Sequence, residues 1–426
     1  MSEAVSGPSP VLGPDAIEFV CARCGRLLKV PAEAAGRQAK CPQCGAVQRV
    51  PAGGSPPAPP AAAVPPAAPA VPPVQPASWL AGRTRLNPGE PALSLRQALR
   101  ETAGQPEGRE TPTKQLFDRI TREIAKIFVG QEELVLGSLV ALFSSGHVLI
   151  ESVPGLGKTL FVRTLGRVLG CQFGRIQFTA DLMPSDITGA PIFDLKTQEF
   201  RFRPGPVFTQ LLLADEINRS PAKTHAALLE IMQEYRVTVD GKSHALQRPF
   251  LVLATQNPIE SEGTYNLPEA QIDRFMFKLL ADYPREDEEA NILRLHSGQV
   301  DINARLEEEL ATVTSPEDIV RITRENAQIR VDDRLVDYIN KIVRLTRQWP
   351  AFHMGASPRA GISLMQGART LAAFSGRDYA VPDDVVQIVL PALRHRVILT
   401  AEAEVEGHTV DELLAELVRS VEVPRM

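Results

Sequence analysis

No stretch of the 426-residue chain is uncharged, apolar and free of proline for the roughly 18 residues a membrane helix needs, so no transmembrane span is expected. The N-terminus carries Glu3 and Asp15 and lacks the basic and apolar pattern of an export signal, so a cytoplasmic protein is the expectation. With a net charge of −5, the chain has no bulk basic excess of the kind that marks a polyanion binder. None of its seven histidines falls in an H-x-x-x-H or H-E-x-x-H pattern, so nothing supports a histidine-built catalytic metal centre. Cysteine is sparse, five in all, yet four form two C-x-x-C pairs. Without an export signal, those pairs read as metal binding rather than disulfides. Apolar residues, by contrast, make up 44% of the chain, ample for a sizeable core, and the length suits two to three domains.

The first C-x-x-C is Cys21 and Cys24, the second Cys41 and Cys44, with sixteen residues between them. That spacing falls in the range of a Cys₄ zinc site, tetrahedral and closed, hence structural. Gly25 and Gly45 follow the pairs and let backbone N–H groups turn toward the thiolates. A module of this size cannot bury enough core alone, so the metal would supply much of its folding free energy. Four unmetallated thiols, or a redox pair, are the competing readings, and no βαβ pattern supports the latter. Residues 17–50 carry six basic and two acidic side chains. A zinc tetrathiolate would trim that excess, leaving a weak hint of an acidic partner over an ordinary solvated surface. A polar tail is expected at 1–16, the zinc ribbon at 17–51, and a Pro/Ala-rich tether at 52–112. Residues 51–82 hold no charge and favour extended polyproline II, with a reach of at most about 80–100 Å. Residues 93–100 could form one short helix.

From residue 113 the texture becomes that of a folded domain. Leu116, Ile120, Ile124 and Ile127 recur at helical spacing, and a second helix is expected at 132–143. The stretch HVLIESVPGLGKTL then reads as strand, phosphate loop and helix. Pro154, Gly155, Leu156 and Gly157 make the loop, and Lys158, Thr159 and Leu160 open the helix. Backbone N–H groups and a helix N-terminus would face an anion there. Lys158 would reach the β- and γ-phosphates of a nucleotide, and Thr159 would bind Mg²⁺. The pattern G-x-x-x-x-G-K-[ST] wants glycine at 152, where this chain has Ser152. If the backbone needs a positive φ at that point, affinity would fall; tolerance is the expectation.

Further along, LLLADE reads as a buried strand with Asp215 and Glu216 at its carboxyl end, where open α/β sheets place ligands. Asp215 can hold Mg²⁺ and Glu216 can take a proton from an attacking water. A capping acidic pair is the plainer alternative. The segment 236–246 alternates about Asp240 and Gly241, a hairpin turn. Another strand at 250–255 leads to Asn257, able to hydrogen-bond both water and γ-phosphate. A short helix is expected at 268–275, a last strand at 277–281, and helices from there on. Ser357 and Pro358 begin one of these, with Arg359 at its head.

The stretches SVPGLGKT, QFTADLMPSDITG, FRPGPVF, LLLADEINRSPAKTHAALLEIMQE, LATQNPIESEGTYNLPEAQIDRF and ASPRA resemble the MoxR family of AAA+ ATPases. The resemblance covers roughly residues 113–420, and the zinc ribbon and tether lie outside it. It implies a five-stranded parallel sheet between helices (113–283), followed by a helical lid (284–426). It implies Lys158, Thr159, Asp215 and Glu216 as the Walker residues and Asn257 as the first sensor. Arg274 matches an arginine finger reaching a neighbour's nucleotide, and Arg359 matches the second sensor. Gly130 and Gln131 match the stretch beside the adenine. The hairpins near 192–202 and 236–248 resemble inserts projecting from the ring surface or pore. Implied with these are ATP and Mg²⁺, a self-assembled ring expected to be a hexamer, and a partner with a von Willebrand factor A domain.

Phosphoryl transfer needs little covalent chemistry and much positioning of charge, which suits this set of residues. Two simpler readings stand beside it: Arg274 could pair with Asp273, and Arg359 could be a solvated charge. Arg219 is a rival trans-acting arginine. Cys171 reads as a buried thiol. Three functions therefore compete: an oligomeric ATPase that remodels or loads a partner protein, a nucleic-acid-dependent motor anchored by the ribbon, and a nucleotide switch without turnover.

Overall fold

The computed structural model describes residues 16–24, 27–31, 34–50, 109–257, 265, 267–297 and 302–424. The tail expected at 1–16, but for its last residue, and the tether at 52–112, but for 109–112, lie outside them, as do residues 93–100, Gly25 and the 258–264 part of the Asn257 loop. The chain divides into two compact units, 1–80 and 81–426.

The first unit consists of two small antiparallel ladders. β1 (Ala16–Val20) pairs with β2 (Leu27–Pro31), and β3 (Gln38–Lys40) with β4 (Val47–Arg49). Its core is little more than Cys21, Leu28 and Cys41, with Phe19, Cys44 and Ala46 packed against them. So small an apolar cluster cannot offset the chain entropy by itself.

In the second unit the strands come in the order β5 (Val148–Ser152), β6 (Phe173–Gln177), the hairpin of β7 (Gly189–Asp194) and β8 (Glu199–Pro204), and β9 (Leu211–Asp215). The hairpin of β10 (Arg236–Val239) and β11 (Lys242–Ala245) follows, then β12 (Leu251–Gln256) and β13 (Phe277–Ala281). Five of them form one sheet, ordered β13-β5-β12-β9-β6, with every neighbour parallel. The expected α/β architecture is therefore present. The central strands are unbroken apolar runs because parallel strands are covered on both faces. Their side chains sort by alternation: Val148, Ile150, Leu211, Leu213, Leu251 and Leu253 join one cluster, and Leu149, Leu212, Ala214, Val252 and Ala254 the other. Helices Glu132–Phe143 and Lys158–Leu169 cover the first face, and Ala222–Glu234 covers the second. The turn of the β10–β11 hairpin is Asp240 and Gly241, both at positive φ (49° and 73°), as the sequence suggests.

The helical part that follows contains Pro316–Asn326, Asp333–Thr346, Pro358–Phe374, Pro382–Leu393 and Val410–Ser420. Ser315, Asp332, Ser357 and Thr409 cap their helices with side-chain acceptors. Tyr338, Leu364, Leu371, Ile388 and Leu414 belong to the same apolar cluster as Ile150 and Phe277, so lid and sheet share one core. Two expectations differ. A small ladder, β14 (Phe352–Met354) with β15 (Ile398–Leu399), interrupts the helices; pieces of three and two residues leave no period to read. The helix expected at 268–275 is only Glu269–Ile272, because the Met276 N–H turns away to the His147 carbonyl and starts β13.

His147 ties that edge together from inside. Its Nδ1 accepts from the Val252 N–H (3.1 Å), so its Nε2–H donates to the Met232 carbonyl (3.0 Å). Burial, with the Arg248 charge adding to it, pushes its pKa down to about 4. His395, half-buried, is likewise depressed well below the usual value, desolvation first and the Arg396 charge next. A depressed histidine leaves stability intact above the unfolded value of about 6.5, and stability falls as pH drops below it. His147 alone should therefore remove about 2 kcal/mol between pH 7.5 and pH 5. Urea unfolding at the two pH values checks this. The acid-induced loss should be clearly smaller in His147→Gln, and an equal loss in both proteins would refute it.

Candidate functional site

The phosphate loop lies between β5 and helix Lys158–Leu169. Its turns are at Gly155 (φ 85°) and Gly157 (φ 74°), where a side chain would be strained. A Cβ on Gly157 would lie 3.7 Å from the Phe128 ring, which places the 128–131 stretch against the loop. Pro154, Gly155 and Gly157 are exposed, and Leu156, Lys158, Thr159 and Leu160 are half-buried. Ser152 stands apart from the turn. It is the last residue of β5, opposite Ala281, fully buried, with its hydroxyl donating to the Val153 carbonyl (3.2 Å). It is not among the residues of positive φ, so the missing glycine costs the loop no strain. Gly130 (φ 75°) and Gln131 (φ 54°) are both left-handed. A Cβ on Gly130 would sit 2.8 Å from the Glu288 carboxylate, and the Gln131 amide donates to the Asp282 carbonyl just beyond β13.

Asp215 ends β9 and Glu216 follows in the left-handed region (φ 57°, ψ 50°). Thr255, on neighbouring β12, joins them. Its hydroxyl donates to Asp215 Oδ1 (2.7 Å) and accepts the Glu216 N–H (2.9 Å). Arg175 from β6 donates both to Asp215 Oδ2 (2.7 Å) and to the Gln177 amide oxygen (2.7 Å). The Gln177 amide nitrogen donates to Glu216 Oε2 (2.7 Å), which also receives Arg219 Nε (3.0 Å). Asn257, buried, follows β12 on the same edge. Lys158, Thr159, Asp215, Glu216 and Asn257 thus gather at the carboxyl edge of the sheet, where the strand ends leave a crevice for a ligand. An anion would meet the loop N–H groups and Lys158. A divalent cation would fit the oxygens of Thr159 and Asp215.

The two other arginines lie elsewhere. β13 runs parallel to β5 with Phe277 opposite Val148, so Asp273 and Arg274 precede the amino end of the sheet. That is a strand's length, about 13 Å or more, from the phosphate loop. Asp273 accepts from Ser357 Oγ (2.9 and 3.0 Å) and Arg396 Nε (2.9 Å), with Arg359 Nη1 at 3.6 Å. Asp273 is therefore held by the lid and not by Arg274. Among the described residues the Arg274 side chain makes no ion pair, and its Nε is buried without a partner. Arg359, half exposed, thus lies against the carboxylate of Asp273, the residue before Arg274 in the chain. Sequence reasoning missed Arg175, Gln177, Thr255, Asp273 as a hub, and Arg396. The one signal for Arg396 was the Arg394-His395-Arg396 run set in an apolar context.

In the first unit the four cysteine sulfurs lie within 4.8 Å of one another. Cys21 and Cys44 are 3.6 Å apart and Cys24 and Cys41 3.7 Å. A tetrahedron of Zn–S bonds near 2.3 Å has edges of about 3.8 Å, so the donor set fits zinc. The N–H groups of Cys44 and Gln43 hold the Cys41 thiol down to about 6, and those of Arg23 and Cys24 lower Cys21. Both shifts favour the thiolates a metal needs. Cys171, by contrast, is buried and pushed up to about 12, the inert thiol expected.

Known proteins fall in line with this geometry. Residues 147–277 match the family described as "ATPase family associated with various cellular activities (AAA)", and residues 344–417 match "AAA lid domain". The chain is similar to the uncharacterized protein YeaC of Bacillus subtilis, 46% identical over 72% of this chain and 95% of that one. It is similar to the chaperone MoxR1 of Mycobacterium tuberculosis (43% identical, 73% and 83%) and to the protein MoxR of Methylorubrum extorquens (30% identical, 72% and 94%). A crystal structure of a putative ATPase from Cytophaga hutchinsonii superposes with a TM-score of 0.68 at 38% identity, covering 74% of this chain and 96% of that one.

Two measurements test the local geometry. Ser152→Gly should leave ATP affinity within about twofold, because Ser152 sits in a strand and not in the turn; a tenfold gain would contradict that placement. Metal analysis of protein purified without chelator should give about one zinc per chain, lost in Cys21→Ser/Cys24→Ser. An absence of zinc, or a content unchanged in the variant, would end the Cys₄ reading.

Proposed function

The chain belongs to the MoxR family of AAA+ ATPases, and from that premise we propose that it hydrolyses ATP with Mg²⁺ at the contacts between like subunits of a ring, a hexamer by family resemblance. We propose further that the cycle remodels a partner protein or loads it with a metal cofactor, in the cytoplasm. One observation carries the shared site. The residues suited to phosphate and the arginines suited to transition-state charge occupy opposite edges of one sheet.

In this reading, residues 113–283 hold the nucleotide, 284–426 are the lid, and 17–51 form a structural zinc ribbon. Gly130 and Gln131 flank the adenine. The N–H groups of residues 155–160 and the Lys158 ammonium bind the phosphates. Thr159 and Asp215 hold Mg²⁺, which neutralises charge on the transferred group when bound. Asp215 is at present engaged by Arg175, and Glu216 by Gln177 and Arg219, so each acid must exchange its partner as the site fills. Glu216 then takes the proton of the attacking water, and Asn257 orients that water toward the γ-phosphate. Arg219 pairs with its own subunit's Glu216 before the site fills, whereas the Arg274 side chain makes no ion pair among the described residues, so Arg274 is taken as the trans-acting arginine in this reading. Arg274 and Arg359 of one subunit meet the γ-phosphate held by the next. A finger supplied in trans is worth about 10³–10⁵ in rate in other nucleotide hydrolases. The partner with a von Willebrand factor A domain rests on family resemblance, and the chaperone role on the name of the mycobacterial relative.

Steady-state ATP hydrolysis over a range of protein concentrations tests the reading. Specific activity should rise with concentration, vanish in Glu216→Gln, and fall about 10³-fold or more in Arg274→Ala, with nucleotide still bound. A specific rate that is independent of concentration and survives in Glu216→Gln would defeat it.

A further inference from the structure

We propose that Arg396 is a positioning residue for the trans-acting arginines. Its buried guanidinium fixes the turn at 273–276 that carries Arg274 and, through Asp273, the side chain of Arg359. The inference rests on the reading that these two arginines act on a neighbour's nucleotide.

Residues 273–276 are neither helix nor strand, so their carbonyls have no ladder to join. Arg396 supplies the donors. Its Nε meets the Asp273 carboxylate (2.9 Å), and its Nη2 meets the carbonyls of Asp273 (3.1 Å) and Phe275 (2.7 Å). Nη1 reaches the Met276 carbonyl (3.3 Å). His395 Nε2 donates to the same Phe275 carbonyl (3.0 Å). The turn is thus gripped from beneath by one side chain, at a point directly flanking Arg274.

The same guanidinium also holds the lid. Nη1 donates to the Ala392 carbonyl (2.6 Å) at the end of helix Pro382–Leu393, and Nη2 to Ser363 Oγ (3.2 Å) within helix Pro358–Phe374. The latter helix carries Arg359 in its first turn, and its cap, Ser357, also donates to Asp273. Arg396 therefore lies between the supports of both arginines. A buried ion pair is a poor way to gain stability, since apolar residues of like volume often do as well. A planar fork of fixed donors is a good way to hold a turn in one geometry. The burial is nearly complete, with the Arg396 side chain 2% exposed, and it pulls the pKa down to about 10, still charged at neutral pH.

Arg396→Lys in the full chain keeps the charge and loses the fork. The Kd for Mg-ADP should stay within about twofold of wild type, and kcat should fall about 10- to 100-fold, the effect of a small misplacement of a reacting group. Mixing the variant one to one with Glu216→Gln should restore hydrolysis. Glu216→Gln subunits bring well-placed arginines, and Arg396→Lys subunits bring intact acidic pairs. Arg274→Ala mixed with Glu216→Gln is the control. Should Arg396→Lys fail to fold, Asp273→Asn, which removes the charge on which Arg396 and Arg359 converge, carries the same expectation. An unchanged kcat, a nucleotide affinity that falls along with kcat, or no rescue on mixing overturns the inference while the Arg274→Ala control is rescued. If that control is itself not rescued, the trans reading fails and the inference with it.

Discussion

The site depends on one hydroxyl. Thr255 donates to Asp215 and accepts from the Glu216 N–H, so a single oxygen sets both the orientation of one carboxylate and the backbone of the next residue. Glu216 sits in a left-handed conformation that costs a non-glycine residue roughly 1 kcal/mol or more. Such strain persists only where the surroundings over-determine it, and here the Thr255 bond, the Gln177 amide and Arg219 do so. All of this requires β12 to lie between β5 and β9, out of chain order. The crossover that puts the fourth strand there brings Thr255 to the acids and Asn257 beside the phosphate loop.

Much of this fold could be read before any coordinates. The runs at 148–150, 211–214 and 251–254 are apolar throughout, because parallel strands are buried on both faces, and each strand then ends abruptly in polar residues. Caps such as Ser357 with Pro358 mark helix starts by local chemistry, and Asp240–Gly241 marks a turn the same way. Cysteine spacing located four sulfurs that are indeed clustered. What escaped is long-range. That Asp273 belongs to Arg396 and Arg359 spans more than eighty residues of sequence, and no period or turn signal encodes such a pairing. The worry over Ser152 came from counting along a motif, whereas the backbone begins its turn only after that residue.

The buried charges of the lid follow one pattern. Arg377 meets Asp384, Arg394 meets Glu133 and Asp411, and Arg396 meets Asp273. Each guanidinium is almost fully enclosed, and the last two bind segments more than a hundred residues away. Apolar side chains could fill the same space but would tolerate sliding; a planar donor fork accepts its acceptors in one register only. Arg394 and Arg396 therefore specify how lid helices seat on the sheet, more than how tightly, while Arg377 acts within the lid. At the other extreme of size, the Cys₄ unit has almost no apolar core, and its specification falls to four thiols whose spacing suits a single ion.

The single core shared by the sheet and the lid has a mechanical consequence. Ile150 and Phe277 lie in one apolar cluster with Leu364 and Ile388, so opening a hinge between the two layers would strip that surface of its contacts and expose it to water. That exposure would cost free energy, so the shared core opposes bending between sheet and lid. The β7–β8 hairpin is not bound by that constraint: it holds Phe193 and Phe200 edge to face in solvent with Leu195 at its tip, outside both clusters.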